Sequence, residues 1–119
     1  MKIETETQNQ AQTPTENTVC LIGEMRGISR RTETKTGAIM VRRIISIARH
    51  WTDNEGRFNE DYDEFELSSW GQVAEKIIDI PNGALVRVKG RVKVEKWNES
   101  GETKSAVRIA AENVTILCM

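Results

Sequence analysis

A chain of 119 residues, 38% of them hydrophobic, suits one domain and leaves no room for two. No apolar run approaches membrane-spanning length, and the N-terminus lacks the charged-then-apolar layout of a secretory signal, so a membrane partner is not expected. The net charge of −1 is neutral on the question of partners, but its distribution is not. Residues 26–50 carry seven bases against one acid, residues 51–66 seven acids against one base, and residues 85–108 seven bases against three acids. A chain that separates its charges this way can hold a polyanion on one side and stay near neutral overall. Cys20 and Cys118 stand at opposite ends, form no CxxC, and with His50 as the one histidine cannot assemble a zinc set. Free thiols and a cytoplasmic setting are expected.

Residues 1–16 are Thr-, Gln- and Glu-rich with almost no apolar content, and are predicted to be a disordered polar tail. The domain is expected to occupy 17–119. Val19, Leu21 and Gly23, alternating with Cys20 and Ile22, predict a short first strand. A basic, Thr-rich stretch then runs to a turn at Gly37. Ile39 to Trp51 is dense in β-branched residues and predicts a second strand, with Asp53-Asn54-Glu55-Gly56 as turn chemistry after it. Phe65 to Trp70 predicts a third. Val73, Ile77 and Ile80 recur at helical spacing until Pro81-Asn82-Gly83 stops them. In Leu85–Trp97 the valines 86, 88, 92 and 94 alternate with Arg87, Lys89, Arg91 and Lys93, which predicts a strand with one apolar and one basic face. Glu99-Ser100-Gly101-Glu102 turns the chain into a last strand, Ser105–Leu117. Three strands, a helix and two strands is the order of the OB-fold, an all-β five-stranded Greek-key barrel with its helix between strands three and four.

Two constellations carry chemistry. Trp51, Trp70 and Trp97 are half of the six aromatic residues, and each closes a polar or charged strand segment. A single-strand binder needs such rings, because every base has a face to stack and every nucleotide a phosphate to neutralise. Tryptophan also plugs barrel ends, so the ring alone decides nothing; the basic neighbours favour binding. The ladder Arg87, Lys89, Arg91 and Lys93 is the second. A solvated strand face normally mixes signs, and four like charges at period two repel unless a polyanion sits on them. With Arg42, Arg49 and Lys96 these are the expected phosphate contacts. The acidic segment 53–66 fails as a calcium loop, since Arg57 stands where an oxygen ligand is needed. No nucleophile elbow, phosphate loop or dinucleotide fingerprint occurs, so neither catalysis nor a metal or cofactor is expected.

The stretches Asn17-Thr18-Val19-Cys20-Leu21-Ile22-Gly23, Trp51-Thr52-Asp53, Trp70-Gly71-Gln72-Val73-Ala74-Glu75, Val88-Lys89-Gly90-Arg91-Val92 and Lys96-Trp97 resemble the bacterial single-stranded DNA-binding protein family, in its order and near its spacing. The likeness spans about residues 17–117. It implies a homotetramer of OB-folds that binds single-stranded DNA in replication, recombination or repair, with Trp51, Trp70 and Trp97 where the family places stacking rings. Three departures matter. Glu64 stands where the family has an aromatic, six residues before Trp70; Tyr62 shares its strand face, and either Tyr62 supplies the missing ring or binding is weaker there. Arg43 stands where an apolar residue is usual in the second strand, which leaves the local register open. The chain ends at Leu117-Cys118-Met119, so the family's acidic tail for recruiting replication and repair enzymes is expected to be missing, as in a phage, plasmid or mobile-element version or a trimmed chain. The rival readings are a dimeric primosome-type OB-fold accessory protein and an OB-fold that grips an acidic protein partner.

Overall fold

The computed structural model describes residues 13–119, so the expected tail lies outside it except for residues 13–16, which carry no regular secondary structure. Six elements follow: β1 (Val19–Glu33), β2 (Ile39–Thr52), β3 (Phe58–Trp70), α1 (Gly71–Ile78), β4 (Leu85–Glu99) and β5 (Glu102–Cys118). The strands close into a barrel in the order β1-β2-β3-β5-β4, with β4 returning to β1. This is the OB-fold that the element order predicts.

The barrel is filled by the inward parity of each strand. Met25 of β1, Val41 and Ile45 of β2, Leu67 of β3, Val86 and Val88 of β4, and Ile109 and Val114 of β5 are buried together. The short helix closes one end with Ala74 and Ile77. Burying each such aliphatic side chain stabilises the fold by about 1.5–3 kcal/mol relative to exposure. Gly90 lets β4 and β5 meet closely where β5 is bulged: a Cβ there would stand 1.9 Å from the carbonyl oxygen of Ala110.

Two strands are longer than the apolar pattern predicts. β1 continues through the basic stretch to Glu33, after an irregularity between Arg26 and Arg30 that leaves Ile28 exposed. β3 starts at Phe58 rather than Phe65, pairing in unbroken register with β2 as far as Thr52↔Phe58. Beyond Met25 and half-buried Ser29 in β1, and before Leu67 in β3, the extra residues belong to hairpin arms that bury no side chain on either face. Alternation of apolar and polar residues reports one-sided burial, so a strand with no buried side leaves no such trace. The helix ends at Ile78, and Ile80 is buried just beyond it.

The turns behave as their residues require. Ser100 and Gly101 both have positive φ, 52° and 81°, as a two-residue hairpin loop between right-twisted strands demands. In the β2–β3 turn, Asp53 Oδ1 accepts hydrogen bonds from the backbone N–H of Glu55 and Arg57. The bond from Arg57 is the main reason its carboxyl pKa is lowered.

Candidate nucleic-acid interface

The outward parity of β2, β3, β5 and β4 builds one surface. Met40 stands opposite Trp70, Arg42 opposite Ser68 and Ile44 opposite Glu66. Lys93 stands opposite Arg108, and Trp97 opposite Lys104. Two open depressions cross this surface. One, of about 570 Å³, is lined by Lys93, Glu95, Lys96 and Trp97. The other, of about 610 Å³, is lined by Ile28, Arg30, Ile44 and Glu66. They meet at Arg42 and Arg108, which line both, and so form one groove.

An ionic network makes the groove floor. Glu95 accepts from Arg42 Nη2 at 2.9 Å, from Arg108 Nη1 at 2.6 Å and from Ser68 Oγ at 3.3 Å. Arg108 Nε donates to Glu66 at 2.6 Å. Burial opposes the charge on Arg108, yet the bonds and attraction from Glu66 and Glu95 outweigh it and raise its pKa. Its guanidinium is a permanent cation. Lys93, Lys96, Arg30 and Arg91 have no ion-pair partner among the described residues, so their charges are available to an incoming anion.

Each tryptophan carries a cation against its ring. Lys93 Nζ lies 4.4 Å from the Trp70 ring centre, Arg49 5.0 Å from that of Trp51, and Arg108 5.7 Å from that of Trp97. Cation–π attraction orders a ring and puts positive charge beside any base stacked on it. Trp97 and Trp51 remain exposed. Arg108 was not among the residues expected from sequence. Its signal was present in β5, where alternation with Val107 and Ile109 turns it outward, but an isolated base in an apolar strand is an ordinary sight.

The expected site does not gather in one place. Lys93, Lys96, Trp97 and Arg42 join in the groove, with Trp70 against Lys93. Arg87 and Lys89 lie further along β4, opposite Ile22 and Cys20 of β1. Arg49 and Trp51 are out on the β2–β3 arm, where Arg49 is also 3.5 Å from Asp61 and 3.6 Å from Asp63. Tyr62 does share the strand face of Glu64 and Trp70. It borders a separate depression with Ile22, Glu24 and Leu85. Its hydroxyl donates to Glu60, and that bond raises its pKa. His50, exposed on the same arm face, stacks on Phe58 with centroids 5.5 Å apart.

Arg43 is no break in register. It points inward and is buried, donating to the carbonyls of Ile77, Ile80 and Gly27 and to Asn82 Oδ1. A cation there satisfies the orphan carbonyls at the helix C-terminus and suits the negative end of its dipole. Burial lowers its pKa from the usual guanidinium value.

Comparison with known proteins agrees with this geometry. The sequence model described as the single-strand binding protein family matches residues 16–117. The single-stranded DNA-binding protein of Aquifex aeolicus (strain VF5) is 33% identical over 102 residues, which are 85% of this chain and 69% of that one. Its counterpart from Treponema pallidum (strain Nichols) is 28% identical over 85% of this chain and 57% of its own length. Among solved structures, a deletion mutant of the single-stranded DNA binding protein from Thermus aquaticus superposes with a TM-score of 0.72 at 28% identity. That match covers 86% of this chain and 50% of the other, so the chain spans half that relative's length. A Plasmodium falciparum SSB in complex with ssDNA gives a TM-score of 0.75 at 18% identity, over 89% of this chain and 98% of that one, a likeness of fold.

Proposed function

The chain belongs to the single-strand binding protein family, a family of non-catalytic binding proteins, and from that premise we propose that it binds single-stranded DNA with little sequence preference. The observation that carries the reading is the groove itself. Trp97 is held against Arg108, Trp70 against Lys93, and Lys96 and Arg30 stand free of ion pairs among the described residues beside them. Stacking surface and phosphate charge thus alternate along one path, which is what a sequence-tolerant single-strand binder requires. The proposed path runs from Ile28 and Arg30 across Arg42 and Arg108 to Trp97 and Trp70, with Trp51 on the arm as a further platform. Tyr62 is left out of it, because Glu60 and Glu24 beside it would repel a phosphate.

The setting we infer is the cytoplasm during replication, recombination or repair, with four copies as the working assembly. Titration with oligo-dT, read by tryptophan emission at two salt concentrations, is the direct test. Quenching that weakens with salt is expected, with far weaker binding to duplex of the same length, since the described residues present no helix that would enter a major groove. Equal affinity for duplex and single strand would overturn the reading. Absence of quenching would favour an acidic protein as the partner of the basic groove. Light scattering should give a tetramer; a dimer would point to the primosome-type relative.

A further inference from the structure

The two carboxylates in the groove differ in kind. Glu95 is only 14% exposed and is held by three donors, Arg42, Arg108 and Ser68. Glu66 is 52% exposed, and among the described residues its one side-chain bond is to Arg108 Nε. Arg108 is 12% exposed, packed against Trp97 and bonded to Glu95, and the Nε that would otherwise face an incoming anion is taken by Glu66. The Nε edge of a guanidinium is also one of those that receive an anionic oxygen in a fork of parallel hydrogen bonds, the geometry shared by carboxylate and phosphate.

Resting on the single-strand-binding reading, we propose that Glu66 is a built-in competitor of the DNA backbone: it occupies the Nε edge of Arg108 in the free protein, and a phosphate displaces it on binding. The exchange is balanced at both ends. Arg108 keeps Glu95 throughout and never becomes a shielded, unpaired charge, a state that is strongly destabilising. Glu66 is already half in water, so its release costs little. The pair therefore holds Arg108 against Trp97 while the groove is empty, and lowers affinity by the free energy of the contact that must be broken.

Removing any acid near a polyanion tightens binding somewhat, so the test needs a control of equal charge. Glu64 lies on the same face of β3, two residues along, with no ion-pair partner among the described residues. Affinities for oligo-dT at one fixed ionic strength are compared for the unsubstituted protein, Glu66→Gln and Glu64→Gln, each checked for folding by thermal melt. The same two changes are then made in an Arg108→Met background. Glu66→Gln should tighten binding roughly threefold to fivefold, the worth of a half-exposed ion pair, and Glu64→Gln clearly less. With Arg108→Met the advantage of Glu66→Gln over Glu64→Gln should vanish. If Arg108→Met does not fold, Arg108→Lys, which lacks the Nε edge, takes its place. Equal gains from the two glutamines, or a Glu66→Gln gain that persists without Arg108, would overturn the proposal and leave only a general field effect. If the unsubstituted protein does not bind oligo-dT, the single-strand reading itself fails, an outcome distinct from equal gains.

Discussion

Trp97 and Lys93 lie in the same groove but should act on different terms of the binding free energy. Trp97→Ala removes a stacking surface and should weaken binding by about 1–3 kcal/mol with little change in salt dependence. Lys93→Ala should cost most at low salt and reduce the slope of log K against log salt by about 0.7, one phosphate contact. It should also change Trp70 emission in the free protein, because the ammonium lies 4.4 Å from that ring. Lys89, opposite Cys20 on β1, should leave the slope nearly unchanged when replaced by Ala. A silent Trp97→Ala in a folded protein, or equal slopes for Lys89→Ala and Lys93→Ala, would move the DNA path elsewhere. Arg43 is the residue whose role sequence reading could not assign. Its position asked for an apolar residue and its type for water, and its four acceptors come from positions 27, 77, 80 and 82, distant along the chain and adjacent only in the fold. Arg43→Met keeps most of the volume and loses those bonds. We expect a loss of about 2–3 kcal/mol in urea unfolding, the range for a charged hydrogen-bonding group; unchanged stability would show that the carbonyls find water instead.

At the scale of elements, the β4–β5 pair depends on a glycine. Gly90→Ala would push a methyl onto the Ala110 carbonyl of the neighbouring strand. Backbone cannot swing aside as a long side chain can, so the strands must separate locally, at a cost of about 1–3 kcal/mol or more. A melting temperature equal to that of the unsubstituted protein would refute the close approach. The apolar halves of β2, β4 and β5 were legible because each has one buried face. The arms of β1 and β3 were not, because Arg30–Glu33 and Phe58–Glu64 bury no apolar face and hold to their neighbours by backbone bonds and exposed side-chain pairs such as Arg49 with Asp61.

For the whole molecule, the prediction concerns its N-terminal boundary. Asn17 is tied to β4: its side chain donates to the Val92 carbonyl at 2.7 Å and accepts from the Val92 N–H at 2.9 Å. Removing residues 1–16 retains this clasp, so the shortened protein should fold and bind oligo-dT nearly as the full chain does. Removing Asn17 as well should lower stability measurably, since the edge of β4 loses both bonds. A 17–119 protein that fails to fold, or that loses most of its affinity, would show that the polar segment is structural.

The sequence alone determined the order of elements, the parity of the basic strand and the tryptophans, because period-two alternation and turn residues act over a few neighbours. Closure of the barrel decided the rest. It carried Arg87 and Lys89 away from Lys93 along a wrapped strand, and brought Arg108 and Glu66 together across β5 and β3. It also turned a set of exposed cations into a groove in which each cation is either free, stacked on a ring or held by a carboxylate. Such pairings join residues tens of positions apart, and no local pattern encodes them; they exist only once the apolar faces have closed on one core.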